Sequence, residues 1–87
     1  MKLNDNERNV LRALYELSAV DGLYCVSFAP LIRATKLDRK AVRRACRSLK
    51  RKGLAEFHSP LFNDDGEVAG AGYCISRAGA DMMKEAA

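Results

Sequence analysis

Ten of the residues from Arg33 to Lys52 are Lys or Arg, against a single acid, Asp38. Fixed positive charge at this density does one kind of chemistry well: it holds a polyanion and displaces its counterions. The block carries a net +9, which leaves 5 basic and 10 acidic residues, or −5, over the rest of a chain whose overall balance is only +4. The charge is focused, not spread. A cationic face that merely aids solubility would mix signs, whereas no acid follows Asp38 within the block. An electrostatic footprint for nucleic acid is the favoured reading.

The other chemistry-bearing residues form no catalytic constellation. Cys25, Cys46 and Cys74 are spaced by 21 and 28 residues with no CxxC pair, which argues against a disulfide framework or a finger-type zinc site. Cys46 reads as a buried structural thiol. Cys25 and Cys74 would meet only if their segments pair as strands, which would open a redox switch; small buried cysteines are the commoner case. His58, the only histidine, has no carboxylate or thiol at ligand spacing and reads as a strand residue. Asp64, Asp65 and Glu67 read as turn residues, and the chain holds no Ser/His/Asp set, Gly-rich phosphate loop or HExxH motif. No metal, cofactor or enzymatic activity is expected.

Length reinforces that expectation. Eighty-seven residues make one small domain spanning 1–87, which buries only about 60 to 65% of its unfolded-chain surface and has little room for a deep cleft. With 48% apolar and 30% charged residues, the chain can build a core. Its apolar stretches are far below membrane-spanning length, and Met1-Lys2-Leu3-Asn4 leads into polar residues, so a cytoplasmic location is expected.

The basic block needs a scaffold, and the spacing of apolar residues supplies one. Val10, Leu11, Leu14 and Leu17 follow the i, i+3, i+4, i+7 pattern of a helix over Asp5 to Ala19. Asn4 and Glu7 form a capping box at its start, and Asp21-Gly22 marks its end. Leu23 to Val26 reads as a short strand, and Ser27 as the cap of a second helix from Phe28 to Ala34, with Pro30 tolerated in the first turn. The basic helix runs from Arg39 to Lys52: Asp38 is its N-cap, Leu37 staples onto Val42, and Gly53 with Leu54 provides a Schellman ending against Leu49. At about 100° per residue, Val42, Ala45, Cys46 and Leu49 share one stripe, while Lys40, Arg44, Arg47 and Arg51 lie opposite with Arg43 beside them. Leu54 to His58 and Gly72 to Ser76 read as a hairpin around the Asp65-Gly66 turn. Ser76 caps a last helix, Arg77 to Ala86, with Ala78, Met82 and Met83 on its apolar side.

Three segments carry a family likeness: Leu37-Asp38-Arg39-Lys40-Ala41-Val42, Leu49-Lys50-Arg51-Lys52-Gly53-Leu54, and Gly72-Tyr73-Cys74-Ile75-Ser76-Arg77-Ala78-Gly79. In their order the chain resembles the winged helix-turn-helix domain of bacterial transcriptional regulators, particularly the MarR-like and ArsR-like groups. There a recognition helix ends in L-x-x-K-G-L and the hairpin returns into a [ST]-x-x-G helix start. The resemblance implies an α+β fold with a three-helix core, a small antiparallel β-hairpin wing and a short C-terminal helix. It also implies that the basic helix lies in the major groove of double-stranded DNA. One departure stands out: no Lys or Arg occurs between Lys52 and Arg77, so the wing lacks the cation that family wings commonly aim at the minor groove or a phosphate. Its tip, Asp64, Asp65 and Glu67, would be repelled by phosphate. The wing then either offers backbone N–H groups to phosphate or points at protein.

The expected function is sequence-specific duplex-DNA binding by a small bacterial or phage transcriptional regulator. Arg39, Lys40, Arg43, Arg44 and Arg47, nearest the helix N-terminus, would reach base edges and phosphates, with Lys50, Arg51 and Lys52 mainly on phosphates. Arg33 and Lys36 suit the phosphate backbone as well. An alternative is a protein-interaction module docking through Leu61, Phe62, Val68 and the acidic wing; another is a nonspecific nucleic-acid-binding accessory. Met82 and Met83 offer a surface for a homodimer.

Overall fold

The computed structural model describes residues 2–19, 26–62 and 68–86, with the backbone alone for the hairpin beyond Phe57 and before Gly72. Its elements run α1 (Asp5–Ala19), α2 (Phe28–Thr35), α3 (Arg39–Arg51), β1 (Ala55–Phe62), β2 (Val68–Ile75) and α4 (Arg77–Ala86). The architecture is α+β: a three-helix core, a two-stranded antiparallel hairpin and a C-terminal helix, the winged helix-turn-helix order. Among the described residues no helix is long and apolar enough to cross a membrane.

Local chemistry sets most boundaries. At the start of α1 the Glu7 N–H donates to Asn4 Oδ1 at 2.7 Å and the Asn4 N–H donates to Glu7 Oε1 at 3.1 Å, a reciprocal capping box. The Ala41 N–H donates to Asp38 Oδ1 at 2.7 Å. At the far end of α3 the Leu54 N–H reaches the Leu49 carbonyl at 2.9 Å and the Gly53 N–H the Lys50 carbonyl at 3.0 Å. That Schellman pair requires a left-handed residue, and Gly53 supplies it with φ of 77°.

Four expectations need correction. Ser27 occupies the N-cap position of α2, but its side chain makes no capping bond. An N-cap oxygen accepts from the second or third helical N–H, and the third residue here is Pro30, which has none. Helix α2 also runs one residue further than expected, to Thr35, whose hydroxyl donates to the Leu31 carbonyl at 2.7 Å. The strands are longer than the expected 54–58 and 72–76 because the turn-forming residues do not end them. Pairing continues through Leu61↔Gly70 and Phe62↔Val68, with irregularities between His58 and Leu61 and between Leu61 and Phe62. Pro60 falls in the first irregularity, where a missing N–H breaks no ladder bond. Finally, Ala78 is exposed, and Gly79 takes the buried place on α4. A Cβ at Gly79 would stand 2.2 Å from the Leu54 carbonyl oxygen, so only glycine lets α4 sit this close. Ser76 caps α4 as expected, accepting from the Gly79 N–H at 3.1 Å.

The core lies under α3. Val10, Leu11 and Leu14 from α1, Leu31 from α2, Val42, Cys46 and Leu49 from α3, and Leu54 and Tyr73 from the hairpin side are all buried. Met82 and Met83 pack partly buried against it. Val26 makes an isolated bridge to Tyr73, with N–O distances of 2.8 and 2.9 Å. The rest of the expected Leu23–Val26 strand, the Asp21-Gly22 helix stop, Cys25, the Asp65-Gly66 turn and the acidic tip lie outside the described residues. So do the side chains of His58, Leu61, Phe62 and Val68.

Candidate nucleic-acid interface

Helix α3 divides cleanly into two faces. Val42, Ala45, Cys46 and Leu49 are at most 3% exposed, the stripe expected from the period. Burial pushes the Cys46 thiol up to about 12, which leaves it neutral and chemically inert at physiological pH. No group of three or more His, Cys, Asp or Glu able to hold a metal occurs among the described residues.

The opposite face holds seven cations. Arg39, Lys40, Arg43, Arg44, Arg47, Lys50 and Arg51 are all exposed, and none forms an ion pair among the described residues. Two shallow concavities gather them. One, of about 420 Å³, lies along the outermost surface between Lys40, Arg43, Arg44, Arg47 and Arg51. The other, of about 640 Å³, runs between α3 and the hairpin and is walled by Arg39, Arg43, Arg47, Lys50 and Arg51 over Phe28, Phe57 and Tyr73. Arg33 and Lys36 are exposed on α2 and in the turn but border neither concavity. Lys36 serves the fold through its backbone: at φ of 61° it ends α2, its N–H donating to the Ile32 carbonyl at 2.8 Å.

Lys52 departs from its expected role as a phosphate contact. Its ammonium lies 2.7 Å from Glu7 Oε2 and 3.1 Å from the Lys2 carbonyl, turned back against α1. The same Glu7 oxygen accepts from the Ser48 hydroxyl at 2.5 Å. Burial works to raise the Glu7 carboxyl, but the bonds from Lys52, Ser48 and the Asn4 backbone, aided by the Lys52 charge, outweigh it and hold the group at about 2. One buried carboxylate thus caps α1, binds α3 and removes one cation from the exposed set.

The aromatic row was not legible in the sequence. Phe28 begins α2, Phe57 stands on β1 and Tyr73 on β2, yet ring centroids are 6.0 Å apart for Phe28 and Tyr73 and 5.1 Å for Phe57 and Tyr73. A cation covers each end: the Arg39 guanidinium lies 5.6 Å from the Phe28 centroid and the Lys50 ammonium 6.0 Å from that of Phe57. Burial, and secondarily Cys46, push the Tyr73 phenol upward, keeping it neutral. Period-2 alternation in β1 is the sole sequence signal that Phe57 and Ala55 share a face; which face that is depends on the packing.

No protein-family model matches the chain, and no curated protein does. Solved structures do match. One is a candidate DNA-binding protein from Ralstonia eutropha JMP134, with a TM-score of 0.75 and 19% identity over 98% of both chains. Another is BpsR of Bordetella bronchiseptica, whose DNA binding is regulated by 6-hydroxynicotinic acid, with a TM-score of 0.71 and 21% identity over 97% of this chain. The chain spans about half of that BpsR chain, 53%. At such identities the likeness is one of fold.

Proposed function

We propose that this chain is a single-domain, sequence-specific duplex-DNA-binding protein, a small cytoplasmic transcriptional regulator of the kind found in the MarR-like and ArsR-like groups. In this reading α3 enters the major groove by its N-terminal half. Lys40, Arg44 and Arg47 read base edges, while Arg39, Arg43, Lys50 and Arg51 hold phosphates, with Arg33 and Lys36 on the backbone alongside. The observation that carries the reading is the seven exposed cations of α3, none of which forms an ion pair among the described residues, Glu7 pairing instead with Lys52. The fold shared with the two solved proteins supports the same conclusion.

Selection from a random duplex library followed by salt titration tests it. If about six cations contact phosphates, log affinity falls against log salt with a slope near −5, roughly a thousandfold between 50 and 200 mM. The selected duplex should outcompete random duplex. A flat salt response rejects duplex binding, and equal binding to both duplexes leaves only a nonspecific accessory.

A further inference from the structure

The groove between α3 and the hairpin is more than a cationic surface. Its helix wall presents Arg43, Arg47 and Lys50, separated along the α3 axis by about 6 and 4.5 Å. Its hairpin wall is apolar: Phe57 is 43% exposed, the large hydrophobic side chain left open among the described residues. Phe57 faces Tyr73 directly across the ladder, which fixes its position, and the Lys50 ammonium lies over its ring.

Cations on one side and an apolar ring on the other match an anionic chain that alternates charge with apolar surface. A duplex strand does this, with one phosphate per roughly 3.4 Å of axis and deoxyribose carbons between phosphates. The nearest hairpin acid among the described residues, Glu56, is not among the side chains lining this groove; it alternates away from Phe57 along β1 and borders the adjoining concavity beside Lys50.

We propose that this groove seats one strand of the bound duplex, with phosphates on Arg43 and Lys50 and a deoxyribose face packed on Phe57. The inference rests on the duplex-binding reading above and adds a residue to it. The hairpin then contributes through the apolar base of β1, and its acidic tip is not needed for binding.

The test uses the full chain, a duplex selected from a random library, and the variants Phe57→Ala and Phe57→Thr, the second chosen because threonine favours strands. Removing the ring should weaken duplex binding roughly tenfold, the loss expected for an apolar contact, with the salt slope unchanged because no counterion is involved. Lys50→Ala should instead lower the slope by about 1. Should Phe57→Ala fail to fold, Phe57→Thr carries the same expectation. Unchanged affinity in a folded variant overturns the proposal. A slope reduced by about 1 in Phe57→Ala also overturns it, since the ring would then only hold Lys50 in place. A larger loss on single-stranded than on duplex DNA overturns it in favour of base stacking. If the parent chain does not bind duplex at all, the failure belongs to the function reading and not to Phe57.

Discussion

Replacing Glu7 by Gln probes the joint between α1 and α3. In the folded chain the carboxyl sits at about 2 against an ordinary 4.5, so its charged form is favoured by folding. A carboxylate depressed in this way contributes stability that is fully present above pH 4.5 and is lost as the pH falls towards 2. A difference of this size corresponds to about 3 kcal/mol as a ceiling. Glu7→Gln keeps the shape and one acceptor for the Ser48 hydroxyl but removes the charge that Lys52 faces at 2.7 Å. Its stability at pH 7 should fall by about 2 to 3 kcal/mol, lowering the melting temperature by about 10 °C or more in a domain this small. Denaturant unfolding of parent and variant across the acid range is the assay. The gap should be constant above pH 4.5, then close as the parent carboxylate takes up its proton. A gap of the same size at pH 3 and pH 7 would refute the linkage and reduce Glu7 to a shape-filling residue.

Three further outcomes separate folding from recognition. Val42→Ala or Leu49→Ala should destabilise the chain by about 1 to 4 kcal/mol by leaving a cavity, whereas Arg44→Ala or Arg47→Ala should leave the melt nearly unchanged yet cost about 1 to 3 kcal/mol on a selected duplex; binding assays on selected and random duplexes beside thermal melts distinguish them, and full binding by both Arg variants would exclude α3 as the reader. Gly79→Ala should be strongly destabilising despite the helical propensity of alanine, because its Cβ would stand 2.2 Å from the Leu54 carbonyl oxygen; a melt at or above the parent's would show that α4 can shift away. Changing Asp64, Asp65 and Glu67 together to Ser should leave duplex affinity unchanged or raise it, and a sharp loss in a folded variant would give the wing tip a positive role.

Much of this protein is written locally. Capping boxes, N-caps and Schellman endings involve residues within a few positions of one another, so Asn4 with Glu7, Asp38 with Ala41, and Leu49 with Gly53 and Leu54 were readable before any fold was known. The 3.6-residue period likewise sorted α3 into a packed stripe and a cationic face. Extent failed where two local signals conflicted: Pro60 and the glycines mark turns, yet cross-strand pairing carries β1 and β2 past them. Ser27 holds the N-cap position of α2 without a side-chain bond, and Pro30 removes one of the two N–H groups from which such a side chain accepts. Contacts between residues distant in sequence were set by packing alone. Lys52 and Glu7 are 45 positions apart; the period sets Arg51 opposite the packed stripe and Lys52 at its edge, but only the approach of α1 supplies the carboxylate that makes Lys52 an internal partner. The same holds for Phe28, Phe57 and Tyr73, which become one aromatic row only because α2 and the hairpin meet beside α3. Charge and period along a chain specify which face of a helix is cationic, whereas the long-range packing of other elements determines which of those cations remain free and what stands next to them.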